Sequence, residues 1–431
     1  MKSSGPVVSK ITSVVASRDR PTHGWAPLKG THTHMRSTWM TTALGLSLAM
    51  GMTGTAVTAA PLDATAPAPA AATAENGPSE ARKQAILDRL QELVPVQTPK
   101  ADALAERLHI DTDARAAALQ RAIDGSQYEC GPTELDAWVD AQLADWDFFD
   151  ILILQFTGAL DWPMYEALLF QPDGPQVFGE DGEHTHEMTK TFGKLQKFWD
   201  TEGSDIQLGA MHGDVLMDDA RIVPFLTVLY GVSEADAQEM ADLVQELLAD
   251  PKFEGGDHPI FTLNAFAYSD APSPEEEQLG LPDKIIMGDG IIEAMEGLGL
   301  GDVGPRGILA HEYGHHVQYE LGLFDDHARD AEATRATELE ADAMAGYYLS
   351  HPRGERLRQQ RVVDFIESFG EVGDCSFTSD GHHGTPNQRE ASARWADELA
   401  NAKGKKGHIH PARFVSDTFR AVLPEILAPD A

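Results

Sequence analysis

The stretch from Gly307 to Gly322, GILAHEYGHHVQYELG, constrains the fold of this chain more than any other. Within it His311, Glu312 and His315 form the pattern H-E-x-x-H, while Pro305 just upstream and Gly322 at its close are helix start and stop signals. Positions i and i+4 of an α-helix share one face about one turn apart, so both imidazoles reach a single tetrahedral ion. Glu312 then stands beside the first ligand as a candidate general base. Two imidazoles do not complete a site, so the fold must carry a third donor to this helix. It is not a histidine six residues after His315: residue 321 is leucine and 318 is glutamine rather than glycine, which excludes the metzincin arrangement. His316 turns about 100° away from His315 and reads as a surface residue or one behind the ligands; His327 falls in a predicted turn.

The third donor is expected from TELEADAMAGYYLSH, Thr337 to His351, a second helix with Glu338 and Asp342 four residues apart on one face. Glu338 supplies an oxygen ligand, and Asp342 accepts the free ring N–H of a ligating histidine and fixes its tautomer. Without the upstream motif, an ordinary charged helix face is the simpler reading of the same two residues. Glu340, two residues from Glu338, is expected on the opposite face in solvent. Ala341, Ala345 and Gly346 keep this helix narrow enough to approach the first.

Composition bounds the rest. A chain of 431 residues has room for two or three domains, and 42% hydrophobic residues provide a core. The formal charge of −36 disfavours phosphate backbones, so nucleic acid is not an expected partner. The first sixty residues are basic by contrast, with Lys2, Lys10, Arg18, Arg20, Lys29 and Arg36 against Asp19 alone. Arg36, the apolar run ALGLSLAMGM and the small residues TGTAVTAA that follow predict export with cleavage near Ala59 or Ala60, against a short signal anchor. No later segment approaches twenty apolar residues, so the mature chain is expected to hold no integral membrane segment. Cys130 and Cys375, the only cysteines, suit one long-range disulfide in an exported protein or two buried thiols, and not a zinc–thiolate site.

Four regions follow: a leader over 1–60, an Ala/Pro-rich disordered linker over 61–79, an acidic helical domain over 80–205, and a domain over 206–431 that carries the motif. SEARKQAILDRLQELV, PKADALAERL and DTDARAAALQRAI have helical periodicity, as has Pro132–Phe156, which turns more apolar toward its end. His184–Asp200 and the capped Ser233–Asp250 complete the predicted helices, and His184 and His186 diverge too far to share an ion. Pro259–Tyr268 and Asp283–Gly288 read as strands.

Four segments, NAFAYSD, KIIMGDGIIEAM, ILAHEYGHH and ELEADAMAGYYL, in this order, resemble the gluzincin metallopeptidases, and within them the HtpX and CAAX-prenyl-protease group. The resemblance implies an edge strand at Asn264, Ala265, Phe266 and Ala267 lying beside an extended peptide, with one zinc ion held by His311, His315 and Glu338. A fifth segment, GHHGTPNQR, is similar to a stretch of the bacterial neutral zinc metallopeptidases. It offers His383 or Arg389 as a donor to a tetrahedral oxyanion, against a loop tied by hydrogen bonds. The HtpX and CAAX enzymes are membrane-embedded, so their substrates do not carry over to a chain without such helices.

The expected fold is α+β and predominantly helical, a zincin-like core of active-site helix, small mixed sheet and third-ligand helix preceded by the acidic helical region. The expected function is hydrolysis of peptide bonds in proteins or peptides outside the cytoplasm, with Glu312 moving the proton. The alternatives are a non-catalytic zinc-containing binding protein and a protease kept latent by its N-terminal half.

Overall fold

Oxygen caps decide where several helices begin. Asp147 accepts from the amides of Phe149 and Asp150, and Asp150 returns a bond to the amide of Asp147. This capping box starts a new helix inside the segment expected to be one continuous helix, so Pro132–Phe156 is two helices. Ser233 caps its helix through the amide of Asp236, and Thr385 and Gln388 form a second capping box.

The computed structural model describes residues 77–95, 134–170, 174–179, 181–270, 280–323, 331–371, 385–402 and 407–427. The leader over 1–60, most of the linker, PKADALAERL, DTDARAAALQRAI, Cys130, His327, Cys375 and His383 lie outside the described residues. In chain order the elements are α1 (Glu80–Leu93), α2 (Glu134–Gln142), α3 (Phe148–Thr157), α4 (Trp162–Phe170), α5 (Thr185–Phe198), β1 (Gln207–Met211), α6 (Asp219–Tyr230) and α7 (Glu234–Leu248). There follow β2 (Ala265–Tyr268), β3 (Lys284–Gly288), α8 (Asp289–Gly297), α9 (Gly304–Glu320), α10 (Ala331–Ser350), α11 (Gln359–Glu371), α12 (Pro386–Ala400) and α13 (Ala412–Ile426). The fold is α+β and predominantly helical with a small mixed sheet. Among the described residues no helix is long and apolar enough to cross a membrane.

The sheet has the order β1-β3-β2, with β1 parallel and β2 antiparallel to the central β3. Every residue of β3 is buried, as a central strand covered on both faces must be. Ile286 turns to a core built by α1 to α4, α6 and α7, which Phe266 and Tyr268 also join. Ile285 and Met287 turn to a second core, shared with α5 and α8 to α13. Register explains the division, because Phe266 pairs with Ile286 and Ala265 with Met287.

Two strand expectations change. Pro259–Tyr268 is not one strand: His258 caps the amide of Ile260, Pro259 lacks a donor, and Pro259–Thr262 winds into a 3-10 turn before β2 begins at Ala265. β1 was not expected, since QLGAM carries no β-branched or aromatic residue; its pairing with β3 supplies what propensity does not.

Candidate metal centre

Helix α9 starts with Pro305 in its first turn and stops at Gly322, whose φ of 65° suits glycine. There the amide of Leu323 reaches the carbonyl of Gln318 and that of Gly322 the carbonyl of Tyr319, a Schellman closure. Leu309, Ala310, Tyr313 and Val317 bury one side of the helix in the second core. Helix α10 crosses it at Gly314, where an added Cβ would stand 3.1 Å from both Cα and O of Ala341. That close approach sets Glu338 and Asp342 opposite His311. Gly346, by contrast, faces Ala393 and Ala396 of α12 rather than α9.

Three side chains converge. His311 Nε2 lies 3.1 Å from His315 Nε2 and 3.1 Å from Glu338 Oε2, and His315 Nε2 lies 3.3 Å from Glu338 Oε1. These are the atoms among the described residues that could share one metal ion. A tetrahedral ion with bonds of about 2.0–2.1 Å holds neighbouring donors about 3.3–3.4 Å apart, so the observed separations suit such an ion.

Protonation within the site points the same way. His311 Nδ1 is 2.8 Å from Asp342 Oδ1, and a carboxylate only accepts, so this nitrogen carries the hydrogen. His315 Nδ1 is 2.9 Å from Gln318 Oε1, while Gln318 Nε2 donates to the carbonyl of Thr337 and to Glu340. Both rings therefore turn Nε2 toward the same point beside the Glu338 carboxylate.

Electrostatics agree. Burial opposes charge on His311, but Asp342 and then Glu338 outweigh it and raise the imidazole to about 9. Burial also opposes charge on His315, and Glu338 again raises it. Burial would lift the Asp342 carboxyl, yet the Arg389 guanidinium, followed by His311, holds it below the usual range. Glu312 is buried at 7% exposure on the turn between the two histidines, near enough to His315 to contribute to its raised pKa.

Three expectations are corrected by these contacts. Arg389 does not stand free for an oxyanion: Nε and Nη2 bond both oxygens of Asp342 at 2.8 and 2.7 Å, and the residue is 3% exposed. Thr385–Arg389 is thus a helix start, with the Thr385–Gln388 box aiming Arg389 at α10. His316 is no surface residue, being fully buried with Nε2 2.8 Å from the carbonyl oxygen of Lys284 on β3. Glu340 is not solvated; at 1% exposure it accepts from Ser416 and from Arg420 of α13 as well as from Gln318.

Gln318 had a signal in the sequence, standing three residues after His315 on the same face of a helix. Ser416 and Arg420 had none, because only the packing of α13 on α10 brings them in.

The expected substrate strand lies at a sheet edge. Among the described residues β2 pairs with β3 alone. Asn264 precedes it, its carbonyl accepting from the amide of Gly288 at 3.0 Å and its side-chain nitrogen 3.6 Å from Met164 Sδ. Ala265 packs toward the core of α9, whereas Phe266 points to the opposite core, and Ala267 alternates back with Ala265. The outer backbone edge, and not the Phe266 side chain, faces a potential partner strand.

No protein-family model, no curated protein and no solved structure matches this chain.

Proposed function

We propose that this protein is an exported zinc-dependent endopeptidase of gluzincin type, with His311, His315 and Glu338 as ligands to one zinc ion and a zincin-like core formed by α9, the sheet and α10. One observation carries the reading: two imidazole Nε2 atoms and the Glu338 carboxylate converge at 3.1, 3.1 and 3.3 Å, with Nδ1 of each ring turned to an oxygen acceptor behind it. Zinc bound there supplies Lewis acidity for a carbonyl and makes water acidic near neutral pH.

The chain's own residues do the remainder. Asp342, backed by Arg389, keeps the His311 hydrogen on Nδ1, and Gln318 does the same for His315. Glu312, one position after the first ligand, takes the proton from water as its oxygen bonds to the scissile carbonyl carbon. The same carboxyl returns that proton to the amide nitrogen as the C–N bond breaks. An extended peptide adds to the outer edge of β2 through backbone hydrogen bonds, which makes the recognised class an unstructured segment of a protein or a peptide.

The test uses the purified mature protein and an unfolded protein substrate. Hydrolysis is expected to stop with a metal chelator and to return with stoichiometric zinc. A protein that binds zinc yet cleaves neither proteins nor a peptide library would be a binding protein and would overturn the reading.

A further inference from the structure

We propose that the C-terminal helix α13 is a positioning element of the metal centre, acting on the His315 ring through Glu340 and Gln318; this rests on the zinc reading above.

The two histidines are supported differently. Behind His311 stands a carboxylate, which can only accept, so its ring orientation follows directly. Behind His315 stands an amide, which has a donor end and an acceptor end. If the Gln318 amide turned over, its N–H would face Nδ1, the ring hydrogen would move to Nε2, and that hydrogen would occupy the place of the ion.

Two acceptors hold the amide in its productive sense. The Thr337 carbonyl is 2.8 Å and Glu340 Oε2 3.2 Å from Gln318 Nε2, so the nitrogen end of the amide faces two oxygens and its oxygen end faces the ring. Glu340, only 1% exposed, is in turn held by α13, with Ser416 Oγ at 2.6 Å, Arg420 Nε at 3.0 Å and Arg420 Nη2 at 2.8 Å. Arg420 and Ser416 therefore hold the Glu340 side chain in place, Glu340 and the Thr337 carbonyl keep the amide turned, and the amide keeps Nδ1 of His315 on an oxygen so that Nε2 faces the ion. Arg420 bonds Glu340, so its expected effect on metal binding runs through Glu340 and Gln318.

The experiment measures zinc dissociation constants by chelator competition for the mature protein and its variants, and records the visible spectrum with cobalt(II) in place of zinc. Gln318→Met, which keeps the volume and removes the acceptor, is expected to weaken zinc by about 10- to 100-fold and to alter the cobalt bands. Arg420→Met is expected to weaken it about tenfold, and Arg420→Lys to recover most of that loss. Ser416→Ala, a milder change expected to weaken zinc by a smaller factor, keeps the test open if the larger substitutions unfold the chain. Folded Gln318→Met and Arg420→Met proteins with wild-type zinc affinity and unchanged cobalt spectra would overturn the proposal while leaving the metal reading intact. A wild-type protein that takes up no zinc would overturn both.

Discussion

Asp342 joins two cations with two oxygens: Oδ1 accepts from His311 Nδ1 and from Arg389 Nη2, and Oδ2 accepts from Arg389 Nε. Replacing it with asparagine leaves the buried guanidinium without its counter-charge. Asp342→Asn is expected to cost about 3–5 kcal/mol in chemical denaturation and to weaken zinc about 10- to 100-fold. The raised pKa of His311 adds a pH dependence. In the metal-free protein the folded state binds its proton more tightly than the unfolded chain, so the contribution is complete below 6.5 and is lost as pH rises through about 9. Roughly 3 kcal/mol is at stake. Denaturation of metal-free protein should show falling stability across that window, whereas zinc affinity should rise, because binding displaces the same proton. At this scale the convergence of His311, His315 and Glu338 was legible from helical spacing, but the burial of Glu340 and His316 was not. An angle around a helix says which residues face away from a ligand, and not whether another helix or strand waits on that side to bury them.

Gly314 and Ala341 set the separation of α9 and α10, and with it the reach of Glu338. Gly314→Leu is expected to force the helices apart, lowering stability by about 1–3 kcal/mol and zinc affinity together. Calorimetry and metal titration on one preparation check both; a stable variant with unchanged zinc affinity would contradict the role given to this contact. Helices α5, α7, α9 and α10 were legible because apolar periodicity and cap residues are local. The division of Pro132–Phe156 was hidden because Asp147 and Asp150 lie in a run whose apolar content continues past them. Strand β1 was hidden for the opposite reason, having no local preference and depending on β3.

Across the whole molecule, the sheet is covered on both faces by helices drawn from distant parts of the chain, an arrangement no local pattern announces. The C-terminal helix, which the sequence reading did not single out, supports residues on α10 only through packing. Export is a separate expectation, resting on the basic leader and the apolar run before Ala59 and Ala60. Terminal sequencing of the exported protein is expected to begin at Ala60 or Pro61, and an intact leader in the membrane fraction would instead indicate an anchor. The most direct test of the central claim compares the mature wild-type protein with Glu312→Gln, counting zinc per chain and following hydrolysis of an unfolded protein. One zinc in each, with hydrolysis in the wild type falling by at least about a hundredfold in the variant, is the predicted result. Equal hydrolysis by both proteins, or no zinc in either, would contradict it.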